Sequence, residues 1–159
     1  MSKAGAKAAK VDAGAVGAEL SITINRLRRR LRAETASSST GWTWSQVSTL
    51  ARVVDLGSTT TSELAAADHV RPQSMAETVA ALKRGGLVTT QPDPTDGRKS
   101  MITATARGQE VVASVRASRR LWLAQAITTE LTDDEQQTLH EATRILNRLA
   151  NATMEGRND

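Results

Sequence analysis

Residues 64–86 read LAAADHVRPQSMAETVAALKRGG, and residues 87–105 read LVTTQPDPTDGRKSMITAT. Just upstream, Thr60-Thr61-Ser62-Glu63 has the form of a capping box. The threonine oxygen can accept an N–H of the first turn, and the glutamate can reach back to the threonine N–H. It opens a short helix whose Leu64 and Ala65 face inward. Asp68, His69 and Val70 make a three-residue turn. Pro72 then stands at the first position of a second helix, where its missing N–H costs nothing. Met75, Val79 and Leu82 recur at spacings of four and three and form that helix's buried face, and Gly85 and Gly86 end it. Two strand-like segments follow, Leu87–Gln91 and Ser100–Thr105. The turn-forming stretch from Asp93 to Lys99 joins them into a β-hairpin with a basic tip.

The flanking sequence is helical. Upstream, Thr43 to Gln46 is another capping box; its helix carries Val47, Leu50, Ala51 and Val54 and stops at Gly57. Before it, Val16, Leu20, Ile24, Leu27 and Leu31 mark one face of a first helix, which the serines and glycine of Ser37 to Gly41 break. Arg26, Arg28, Arg29, Arg30 and Arg32 crowd the rest of its C-terminal half, either as a solvated face or as phosphate contacts. Downstream, Thr105 caps a long helix through Val111, Val112, Val115, Leu121 and Ile127. A third capping box, Thr132 to Glu135, opens a last helix striped with Leu139, Ala142, Ile145, Leu146 and Leu149. The expected architecture is mainly α, six helices with one β-hairpin between the fourth and fifth. Flexible tails are expected at 1–14 and 153–159 around a single domain, 15–152.

Composition narrows the partner. The chain of 159 residues carries a formal charge of +4. From Arg71 to Arg120 nine basic residues stand against four acids. That local excess favours a polyanion. Phe and Tyr are absent and Trp occurs three times, so there is little on which to stack unpaired bases, and duplex DNA is the better polyanion. Without cysteine there are no disulfides or thiolate metal sites, and two histidines are too few for a histidine metal cluster. No apolar run is long enough for a transmembrane helix and the N-terminus lacks the apolar core of a signal peptide, so a cytoplasmic protein without membrane contact is expected. No phosphate-cradling glycine loop is present, and neither His69 nor His140 falls in a recognisable catalytic arrangement. No catalytic residue, metal ligand or cofactor is therefore assigned.

A short helix, a turn, a second helix and a basic-tipped hairpin make a winged helix-turn-helix, spanning about 43–105. The second helix suits the major groove, where each base pair shows a distinct pattern of donors and acceptors. With Met75, Val79 and Leu82 buried, its outward face is Gln73, Ser74, Glu77, Thr78 and Ala81. Gln73 can bond adenine, and Ser74 a base or a phosphate. Glu77 is a liability near phosphates unless it accepts from a cytosine amino group or pairs with an arginine. Arg71 adds charge at the helix N-terminus. In the hairpin, Pro94 stiffens the tip, Gly97 permits its sharp turn, and Asp96 is close enough in sequence to orient Arg98. Arg98 is the expected minor-groove residue and Lys99 a phosphate contact. A surface ion pair between Asp96 and Arg98 is the plainer alternative.

The stretch from Leu64 to Glu110 resembles the core of the MarR family of bacterial regulators. The matching elements are Leu82, Gly86, Leu87 and Val88, the D-x-x-D-x-R wing (Asp93, Asp96, Arg98), and Thr105 with Gly108. The resemblance covers about residues 15–152. It implies a homodimer in which the helices at about 15–34 and 106–152 interlock, a palindromic operator, repression, and release by a small phenolic or lipophilic effector. Three positions depart from the family pattern: His69 where glycine is common, Arg71 in place of a small capping residue, and Ala104 in place of leucine. The apolar stripes of the outer helices also call for a two-fold partner on physical grounds. Trp42, Trp44 and Trp122 are candidates for lining an effector pocket, with core or interface packing as the alternative. A winged-helix module that binds a protein instead of DNA is the competing function.

Overall fold

A computed structural model of the chain describes residues 11–36, 41–96 and 99–152. The elements run α1 (Ala13–Ala36), α2 (Trp44–Leu56), α3 (Thr61–Ala67), α4 (Pro72–Arg84), β1 (Val88–Pro92), β2 (Ser100–Ala104), α5 (Ala106–Glu130) and α6 (Asp133–Ala150). This is the mainly helical architecture with a two-stranded hairpin that the sequence indicates. Boundaries differ by a residue or two. Leu87 precedes β1, because its N–H already bonds the Leu82 carbonyl as α4 unwinds. Thr105 leaves β2 to cap α5. The assigned tails, 1–14 and 153–159, fall outside the described residues except for residues 11–14. Asp12 Oδ1 accepts the Gly14 N–H at 2.9 Å, an N-terminal cap for α1.

All three capping boxes form. Thr43, Thr60 and Thr132 each accept a first-turn N–H, and Gln46, Glu63 and Glu135 each accept the N–H of the capping threonine. The Glu63 carboxyl lies below its ordinary value of 4.5. The Thr60 N–H is the largest cause, followed by the hydroxyl of Thr59, which donates at 2.9 Å. Glu135 is lowered likewise by the Thr132 N–H and hydroxyl. A carboxylate whose folded value is depressed contributes stability in full above its unfolded value, and loses it as pH falls through the folded one. Thermal stability is therefore expected to decline as pH falls below about 4.5. Replacing both acids by glutamine should flatten that acid limb, as melting curves between about pH 3 and pH 7 would read out. An acid limb as steep as the wild type's would mean the caps do not titrate as described.

The chain divides into two compact units, residues 1–115 and 116–159. In the first, Leu50, Leu64, Leu82, Leu87 and Ile102 are almost fully buried, joined by Val53, Met75, Val79, Val88 and Val112. α4 packs against α2 and α3. The buried Thr49 hydroxyl donates to Met75 Sδ at 3.9 Å, linking α2 to α4. Arg52 on α2 pairs with Asp68 at 2.6 Å and so holds the turn after α3. β1 and β2 are antiparallel, with Val88 opposite Ala104 and Pro92 opposite Ser100. The segment before α3 adds a single isolated bridge. Thr59 exchanges both backbone hydrogen bonds with Ile102, at 3.1 and 2.7 Å, so Ile102 is paired on both sides.

The second unit holds the remainder of α5 and all of α6, linked through Leu131 and Thr132. Leu139, Leu146 and Leu149 on α6 are exposed, the last to 59%. In the first unit, Val16, Ile24 and Leu27 on α1 are also exposed. No described helix is long and apolar enough to cross a membrane.

Candidate nucleic-acid interface

α4 has two chemically distinct faces. Met75, Val79 and Leu82 are buried against the core, while Gln73, Ser74 and Glu77 are exposed and Thr78 is half-buried. The Thr78 hydroxyl donates to the Ser74 carbonyl at 3.1 Å, so its proton is used within the helix. Arg71 occupies the N-cap with extended backbone and gives no side-chain cap. The first-turn N–H groups of α4 are left with no side-chain acceptor from that position. Such N–H groups, at the positive end of a helix dipole, favour a phosphate oxygen. Just before Arg71, His69 adopts φ 51, the left-handed conformation that glycine takes most easily. The turn closes through the Asp68 N–H on the Leu64 carbonyl and the Val70 N–H on the Ala65 carbonyl, each at 3.0 Å.

In the described part of the wing, the Asp93 side chain collects three hydrogen bonds. Asp93 Oδ1 accepts the Thr95 N–H at 2.7 Å, the Thr95 hydroxyl at 2.6 Å and the Asp96 N–H at 3.1 Å. These bonds hold the Asp93 carboxyl below its ordinary value, the Thr95 hydroxyl being the largest cause. The loop closes through the Asp93 N–H on the Lys99 carbonyl at 2.9 Å and the Lys99 N–H on the Asp96 carbonyl at 2.8 Å. Gly97 and Arg98 lie outside the described residues, so the expected Asp96–Arg98 pairing does too. The local signal for Asp93 was available: an aspartate two residues before threonine is an Asx-turn pattern.

Lys99 is exposed and lines a cleft of about 390 Å³ with Thr60, Thr61, Ser62, Glu63 and Ser100. Two further residues near the wing, Thr59 and Lys83, make contacts that the sequence does not signal. Thr59 ties the wing to the residues preceding α3, and Lys83 Nζ donates to the Thr90 hydroxyl at 2.6 Å, joining the end of α4 to β1. Both contacts span elements, so no short-range pattern announces them.

The MarR family profile matches residues 42–100, from the start of α2 through the wing. An HTH-type transcriptional regulator of Mycobacterium tuberculosis is 34% identical over 131 residues, covering 82% of this chain and 90% of that protein. This chain belongs to the MarR family. A second relative, from Mycobacterium leprae, is 32% identical over the same length. Among solved structures, a Pseudomonas aeruginosa protein assigned as a transcriptional regulator superposes with a TM-score of 0.74. It is 31% identical, covering 87% of this chain and 95% of its own. Apo MarR of Escherichia coli, 23% identical with a TM-score of 0.69 over 86% and 98% of the two chains, shares the fold.

As a member of the MarR family the protein is a winged-helix transcriptional regulator. Its wing acids Asp93 and Asp96, and the Thr105 and Gly108 that open α5, therefore sit at positions with a structural reason. Thr105 donates its hydroxyl to the Gly86 carbonyl at 2.8 Å and accepts the Gly108 N–H at 3.1 Å. Trp42 packs against the core and over Gly85. The Trp44 ring lies 4.7 Å from the Arg32 guanidinium carbon, a cation–π contact. Trp122 is half-buried in the second unit.

Proposed function

We propose that two copies of this chain bind one palindromic duplex operator and repress transcription from it. Each seats α4 in the major groove and Arg98 of its wing in the neighbouring minor groove. The observation that carries the reading is the division of α4: one face wholly buried, the other exposed, polar and preceded by Arg71 with no side-chain cap. Gln73 and Ser74 face bases or phosphates, Glu77 and Thr78 lie one turn further along, and Lys99 contacts phosphate. Asp96 orients Arg98. The exposed leucines of α6 and apolar residues of α1 support a homodimer, because such stripes on a free surface favour association. The dimer spans residues 15–34 and 106–152, and the DNA-binding part residues 43–105.

A small lipophilic or phenolic effector releases the DNA, with Trp42, Trp44 and Trp122 as its candidate ligand-binding residues. Support comes from Trp42, whose ring rests on Gly85 at the end of α4. A ligand that moves that ring acts directly on the recognition helix. Such a ligand should change tryptophan fluorescence and weaken DNA binding together.

The test is selection of bound duplexes from a random pool, followed by titration at several salt concentrations. The expected outcome is a palindrome with half-sites about one helical turn apart. Affinity should fall steeply with salt, by about a thousandfold between about 50 and 200 mM if six or more phosphates are neutralised. A monomer with no sequence preference would overturn the reading. Salt-insensitive binding to a protein would favour the protein-interaction alternative.

A further inference from the structure

Glu77 is an exposed carboxylate on the face of α4 that meets DNA in the reading above. Placed between two phosphate backbones, an unpaired carboxylate is repelled. A cation on its own helix could relieve this. Yet the residues three and four positions away are Gln73, Ser74, Ala80 and Ala81, none of them charged. A cation from another element could do the same. Arg52 pairs with Asp68, Lys83 bonds Thr90, and Glu77 has no described cation within ion-pair distance.

The remaining partner is a base. An ionised carboxylate only accepts hydrogen bonds. In the major groove, guanine and thymine present acceptors on their edges. Adenine offers an amino donor beside the N7 acceptor, and cytosine offers an amino donor with no acceptor next to it. Cytosine is the one base edge that attracts a carboxylate without an opposing lone pair.

We propose that Glu77 is a specificity-determining residue that selects a cytosine in each half-site by accepting from its amino group. The assignment rests on the proposed seating of α4 in the major groove. Gln73 lies one turn before Glu77, about 6 Å along the helix axis, which corresponds to about two base steps. The selected cytosine therefore lies within about two base pairs of the pair that Gln73 faces. The proton of Thr78 is held by the Ser74 carbonyl, so its hydroxyl gives Glu77's base no competing donor.

The experiment is duplex selection from one random pool with the wild type, Glu77→Gln and Glu77→Ala. Glu77 is exposed and makes no described side-chain bond, so both variants should fold as the wild type does, which circular dichroism checks. The wild type should return an invariant cytosine at one position per half-site, and changing that pair to T·A should weaken its binding by roughly tenfold. Glu77→Gln should shift the preference at that position to adenine, because an amide both donates and accepts. Glu77→Ala should lose the preference there while keeping the rest of the palindrome, and should bind non-specific duplex more tightly.

An identical consensus from all three proteins overturns the proposal and leaves operator binding intact. An unchanged cytosine in the alanine variant does the same. A wild-type pool with no consensus overturns the proposal together with the reading beneath it.

Discussion

Gly108→Ala is expected to cost about 2–3 kcal/mol of folding stability and to lower the melting temperature by roughly 5–10 °C. Residue 108 is buried in the first turn of α5, where that helix meets the residue leading into β1. A Cβ there would stand 2.1 Å from the Leu87 carbonyl oxygen and 3.2 Å from Leu50 Cδ1. The obstacle is backbone, so a rotamer change cannot relieve it. Leu87 is itself fully buried, and its carbonyl accepts the Thr105 N–H at 3.0 Å. Moving it disturbs the α5 cap, including the Thr105 hydroxyl on Gly86. The root of the wing therefore moves with the helix start.

Gly85→Ala provides the contrast. Its added methyl would meet the Trp42 ring at 2.0 Å, but a side chain on the core's edge can swing aside, so the loss should be smaller. Urea unfolding followed by circular dichroism measures both. A Gly108→Ala protein within about 0.5 kcal/mol of wild type would show that the helix start does not press on Leu87.

Arg98→Ala is expected to lower operator affinity by more than about tenfold, while thermal stability and dimerisation stay within error. The wing is a separate lever from the core, since none of the described residues of its tip, 93–96 and 99, belongs to the buried cluster. Its geometry is set locally by Asp93, which collects three donors from Thr95 and Asp96. A loop ordered before binding loses less entropy when its tip enters a groove. Arg98→Lys should recover part of the loss, because charge is kept while the planar fork is not. Fluorescence anisotropy with the selected duplex, at fixed salt, separates the three proteins. Wild-type affinity in the alanine variant would remove the wing arginine from recognition and leave α4 to carry it.

The helices of this protein were legible because their signals are short-ranged. Each capping box lies within four residues, and the buried faces of α2, α3 and α4 repeat at helical spacing. Thr43, Thr60 and Thr132 therefore announced three helix starts, and Met75, Val79 and Leu82 announced which side of α4 is inside. The turn from Asp68 to Val70 was legible between two helices, and its left-handed residue, His69, stands where the family resemblance places a glycine. The wing was legible as a hairpin, while the three bonds that Asp93 collects from Thr95 and Asp96 add a residue whose part in shaping the loop was not singled out.

Sequence alone determined the order of elements, the inward faces of α3 and α4 and the charge of the hairpin tip, since propensity, capping and periodicity act between residues a few positions apart. On α2 it marked Ala51 and Val54, which are half-buried, where Thr49 and Val53 are buried. Only tertiary structure decided the rest. The strand bridge between Thr59 and Ile102, the Arg52–Asp68 pair, the Trp42 ring over Gly85 and the approach of α5 to the Leu87 carbonyl join residues far apart in the chain. Such contacts depend on how closely packed backbones approach one another, and no local run of residues encodes that distance.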